Sequence, residues 1–105
     1  MSETGAKPPK HLSPDAKRLW KELVEQFSID NSAAFLLLQM AMEAYDEMKA
    51  AQVILKRDGP VIKNSRGAMT QHPATLCVRD ARNLLLRSLK QLNLDLAPDD
   101  LGGGL

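Results

Sequence analysis

The segment SAAFLLLQMAMEAYDEMKAAQVILKR, from Ser32 to Arg57, runs without glycine or proline until it meets Asp58-Gly59-Pro60. Ala, Leu, Met, Glu and Lys lose little on entering a helix, so a run dominated by them reads as one continuous helix. Asp30 is the expected N-cap. Gly59 can take the left-handed conformation that closes a helix, and Pro60 cannot continue it. At a rise of 1.5 Å per residue the helix is about 40 Å long. In its first half, Phe35, Leu36, Leu37, Leu38, Met40, Ala41 and Met42 point in nearly every direction, leaving only Gln39 polar. A helix that is apolar all round is expected to be buried all round.

The remaining segments are too short to cover it alone. Ser13-Pro14-Asp15 supplies a capping hydroxyl, a proline for the first helical position and an acid for the first turn. From there Ala16, Leu19, Trp20, Leu23, Val24 and Phe27 form one apolar stripe with helical spacing, on a helix of roughly 20 Å. A third helix is expected from Pro73 or Ala74 to about Leu92, with Cys77, Ala81, Leu84, Leu85, Leu89 and Leu92 on its apolar side and Asn93 as terminator. The fold class is therefore all-α, with three main helices including one long central helix. Two solutions bury the central helix: a compact three-helix monomer, or a third helix together with a neighbouring subunit. The second is the expectation, because one short helix cannot wrap a helix twice its length.

Between the second and third helices lies RDGPVIKNSRGAMTQHP, residues 57–73, longer than most helix connections. Val61-Ile62-Lys63 and Gly67-Ala68-Met69 flank Asn64-Ser65-Arg66, the pattern of a loop or short β-hairpin. At 105 residues the chain is one domain. Its expected parts are a flexible arm over residues 1–12, a helical oligomerisation domain over 13–98, and a flexible tail over 99–105. MSETGAKPPK contains no apolar run, so neither signal peptide nor membrane span is expected, and the expected location is the cytoplasm.

The chemistry of an enzyme is missing from the sequence. His11 and His72 lie in a polar arm and a loop, and no Ser/His/Asp set or glycine-rich phosphate loop appears. No cofactor is implied, and no metal site either, because His72 and Cys77 lack a second ligand pair. Glu43, Asp46 and Glu47 read as a solvated acidic face.

Charge placement carries more information than the net charge of +1. Residues 22–55 hold one Lys/Arg against six acids, whereas residues 56–90 hold eight against two. On the third helix Arg79, Arg82, Arg87 and Lys90, with Asn83 among them, are expected opposite the apolar stripe, with Asp80 as the single acid. Lys56 and Arg57 at the end of the second helix, then Lys63 and Arg66 in the loop, would extend the same basic region. Unpaired cations of this kind suit phosphate, so these eight residues are the candidate DNA contacts. An ordinary solvated face is the competing reading, and the helix dipole alone accounts for Lys56 and Arg57. A helix-turn-helix use of the first two helices is disfavoured, since Ala33, Ala34, Phe35 and Leu36 cannot read base edges. Any DNA contact at the front of the chain would use Lys7, Lys10, Lys17, Arg18 and Lys21 on phosphates.

The order of LSPDAKRLWKELVEQF with its Leu19-Trp20 pair, a long helix with Tyr45 in AYDEMKAA, DGPVIKNSRGAMTQHPA, and LLLRSLKQLNLDLAP resembles the short phage terminase small-subunit family, over roughly residues 12–98. The resemblance implies a non-enzymatic factor of viral genome packaging in the bacterial host. Such a factor forms a ring-shaped homo-oligomer, recognises viral double-stranded DNA and presents it to the terminase large subunit, which holds the ATPase and nuclease. The alternative is a helical phage-encoded protein-interaction adaptor without DNA binding.

Overall fold

The computed structural model describes residues 7–92. It contains α1 (Pro14–Phe27), α2 (Ser32–Asp58), a two-stranded hairpin of β1 (Val61–Lys63) and β2 (Met69–Gln71), and α3 (Pro73–Gln91). The all-α class with an inserted hairpin is as expected. The expected tail, the Asn93 terminator and residues 1–6 of the expected arm lie outside the described residues.

Each helix starts where a side chain can accept a free backbone amide. Ser13 Oγ accepts from Ala16 N at 3.1 Å. The second cap is Asn31 rather than Asp30: Asn31 Oδ1 accepts from Ala34 N at 2.8 Å. The shift by one residue follows from Ser28, which takes a left-handed conformation (φ 52, ψ 46) and turns the chain before Asn31 can cap. His72 caps α3 through Nδ1, which accepts from Ala74 N at 3.0 Å.

The core gathers Leu12, Ala16, Trp20, Leu38, Ala41, Met42, Ala44, Leu85 and Leu89. Leu38 and Met42 are the largest side chains wholly inside, and burying each contributes roughly 1.5–3 kcal/mol. Trp20 stacks on Phe35 with ring centroids 5.8 Å apart. Leu12, assigned by sequence to a polar arm, is buried. Its neighbours tie it down, because Asp46 accepts from both Ser13 N (2.8 Å) and Ser13 Oγ (2.5 Å), and Glu43 meets His11 Nε2 at 2.7 Å. Glu43 and Asp46 are thus not a merely solvated acidic face; they hold the N-terminal segment against α2.

Towards the hairpin the three-helix core gives way to α2 and α3 alone. There the buried residues are small, Ala51, Ala74 and Ala81, so two helices can lie close without a third. The buried side of α3 is Ala74, Ala81, Leu85, Ser88 and Leu89. Cys77 is exposed and Leu84 is 37% exposed, correcting their placement in the core. The stripe is rotated because alanine and serine, not cysteine, let α3 approach α2. In α2, Leu36 is 60% and Met40 40% exposed. A single chain therefore does not bury its apolar helix on all sides.

Candidate nucleic-acid interface

The hairpin is built from the end of α2. Gly59 is not in the expected left-handed conformation: it has φ 82 and ψ 161, an extended region almost confined to glycine, and its N–H still donates to Leu55 O at 2.7 Å. This bend releases Pro60 into β1. The strands pair Val61 with Gln71, Ile62 with Thr70 and Lys63 with Met69, and His72 N closes the base on Pro60 O at 2.8 Å. The first strand lies where the sequence places it; the second begins two residues later than the expected Gly67.

Asn64 organises the connecting turn. Its Oδ1 accepts from Arg66 N at 2.9 Å and Ala68 N at 3.0 Å, while its backbone N–H donates to Ala68 O at 2.8 Å. Gly67 takes φ 82 to complete the reversal. Arg66 consequently stands at the apex, exposed, with Lys63 exposed on β1. Neither forms an ion pair among the described residues, nor does Lys56 in the last turn of α2.

Arg57 differs. Its Nε and Nη2 donate to the two oxygens of Asp58 at 2.7 and 3.0 Å. That pair raises the guanidinium pKa, and Arg57 followed by His72 holds the Asp58 carboxyl well below the usual carboxylate range. A phosphate would have to compete with Asp58 for this arginine.

The four cations of α3 are spread along the helix as two i,i+3 pairs, Arg79 with Arg82 and Arg87 with Lys90. Arg79 leans on Asp80 at 3.3 Å. Arg82 is half-buried, with Nε enclosed and unbonded, so it does not sit opposite the buried stripe as the sequence suggested. Arg87 and Lys90 are exposed and form no ion pair among the described residues. At 1.5 Å per residue, Arg87 stands roughly 20 Å along α3 from Pro73. The eight candidates therefore divide into a group at the hairpin end (Lys56, Lys63, Arg66, with Arg57 paired) and a dispersed group along α3.

No group of three or more potential metal ligands occurs among the described residues, and no helix among them is long and apolar enough to cross a membrane. An open groove of about 520 Å³ runs beside Tyr45, Lys49, Ala50 and Val53 near the start of α1. The charge at the hairpin end is that of Lys63 and Arg66, which the sequence already places in the loop. The roles of Glu43 and Asp46 could not, because both depend on where α1 crosses α2.

The chain matches the family model described as phage terminase, small subunit, over residues 16–98. No curated protein and no solved structure matches it.

Proposed function

Because the chain belongs to the phage terminase small-subunit family, whose role is in phage DNA packaging, we propose that it is a non-enzymatic factor that binds viral double-stranded DNA and engages the terminase large subunit. It works as a ring-shaped homo-oligomer in the host cytoplasm. The DNA is held mainly through phosphates, with Lys56, Lys63 and Arg66 at the hairpin end as the leading contacts. Arg79, Arg87 and Lys90 form a second, dispersed set, while Arg57 and Arg82 contribute less because one is paired and the other half-buried. The observation that supports the DNA contact is the turn around Asn64, which presents Lys63 and Arg66 on an exposed ribbon. A two-stranded ribbon is narrow enough for the major groove of DNA.

The test is DNA binding at two salt concentrations, with wild type and a Lys63→Gln/Arg66→Gln variant. Binding falls steeply with salt, and the variant's log–log slope is shallower by about 2. No binding by wild type at low salt would instead support the adaptor reading. That reading draws on Val61 and Met69, 48% and 62% exposed on the same ribbon, which suit an apolar partner.

A further inference from the structure

The contact between Asp58 Oδ2 and His72 Nε2, 3.0 Å, fixes the relative height of α2 and α3. Both helices rise equally per residue and run in opposite directions. Counting down each from that contact places Ala41 level with Leu89, and both belong to the same core cluster. The same count places Glu43 level with Arg87, and Val53 level with Cys77, next to Leu76.

These residues occupy opposite long edges of the molecule. Ala41, Ala44 and Ala51 face inward, so helical periodicity puts Glu43, Asp46, Ala50 and Val53 on the edge turned from α3. Ala74, Ala81 and Leu85 face inward from α3, so Leu76, Asn83 and Arg87 lie on the edge turned from α2. The α2 edge bears acids at the height where the α3 edge bears Arg87. Val53, 68% exposed, is at the height of Leu76, 44% exposed.

In a closed ring whose axis runs along α2 and α3, each copy is related to the next by rotation about that axis, so contacts form between surfaces at equal height. We propose that copies of this chain associate side by side, the α2 edge of one copy (Glu43, Val53) against the α3 edge of the next (Arg87, Leu76). This rests on the oligomer reading and assigns it a surface. Glu43 is ready for the contact: His11 and Gln39 both bond Oε2, leaving Oε1 without a hydrogen bond among the described residues. Those two bonds also lower its pKa, which keeps it ionised. A two-fold pairing of like edges would set acids against acids or Arg87 against Lys90. Arg87 on this arrangement belongs to the neighbouring copy, and the DNA contact concentrates at the hairpin end.

Charge reversal tests the pairing by light scattering and native mass spectrometry. Glu43→Arg and Arg87→Glu each weaken assembly roughly tenfold or more. An equimolar mixture of the two reassembles, because alternate copies restore opposite charges, and the Glu43→Arg/Arg87→Glu chain assembles alone. Val53→Asp, at a site exposed in the single chain, weakens assembly without altering the helical circular dichroism signal. If wild type is oligomeric and these variants assemble unchanged, or the mixture stays dissociated, the edge pairing is wrong while the oligomer reading stands. A monomeric wild type overturns both.

Discussion

Asp58, the last residue of α2, accepts a hydrogen bond from Nε2 of His72, the cap of α3, at 3.0 Å. One contact therefore joins the end of one helix to the start of the next across the base of the hairpin. Nδ1 of the same imidazole accepts from Ala74 N, which places the ring proton on Nε2, where it is donated to Asp58. The hairpin is held at its base by this pair and by the backbone bond from His72 N to Pro60 O at 2.8 Å.

Asp58 gives the junction a defined pH response. Its folded-state pKa lies below the ordinary value of 3.8, owing first to Arg57 and then to His72. A carboxyl depressed on folding stabilises the fold fully above its unfolded pKa and loses that contribution as pH falls through the folded one. The contribution of the lowered Asp58 carboxyl to the stability difference between wild type and Asp58→Asn is thus expected to shrink as pH falls below 3.8. Urea titrations across that range measure it; a difference that grows in acid would contradict the assignment.

His72→Ala removes both the α3 cap and the Asp58 partner. A lost cap costs about 1 kcal/mol, and amide exchange should rise in the first turn of α3 and at the hairpin base. Asn restores the cap but not the reach to Asp58, so His72→Asn should recover stability while leaving Arg57 as the only side-chain partner of Asp58 among the described residues.

Ser13 couples helix capping to tertiary contact, since its Oγ accepts from Ala16 N and donates to Asp46. Ser13→Ala is expected to cost about 1–2 kcal/mol, the upper part of the range for a cap. Asp46→Asn should cost less, because an amide oxygen still accepts one of the two Ser13 bonds. Equal losses in the two variants would mean that the cap matters little.

Core and surface leucines on α2 should separate clearly. Leu38→Ala leaves a cavity at a wholly buried site and is expected to cost about 2–5 kcal/mol. Leu36→Ala, at a position 60% exposed in the single chain, should change monomer stability by about 0.5 kcal/mol or less. A larger loss at Leu36 that grows with protein concentration would place that leucine in a subunit contact.

Asn64→Ala removes the acceptor for two amides of the hairpin turn. Because a two-stranded ribbon is only marginally stable alone, chemical shifts over Val61–Gln71 should move towards unstructured values while the helices remain unchanged. DNA affinity should fall with the ribbon if Lys63 and Arg66 depend on it for position.

Local chemistry made much of this fold legible in the sequence. Ser13-Pro14, Gly59-Pro60 and His72-Pro73 mark helix boundaries through requirements that hold in any context: a free amide needs an acceptor, and proline has no N–H to give. The hairpin was legible for the same reason, and its second strand was misplaced only because Asn64 closes a longer turn than its neighbours suggest. The Lys63–Arg66 run was visible as charge, and whether Arg57 and Arg82 were available to a ligand was not.

What the tertiary structure alone decided is the rotation of each helix about its axis. The expected apolar side of α3 held Ala81, Leu85 and Leu89, which are buried, but also Cys77 and Leu84, in whose place close approach to α2 selected Ala74 and Ser88. That turn of α3 exposes Leu76, Cys77 and Leu84 and draws Arg82 inward. Acids on α2 met the same fate: Asp46 and Glu43 found Ser13 and His11 because of where α1 crosses. Helix ends follow from bonds between near neighbours in the chain, whereas helix faces follow from which distant surfaces can come closest.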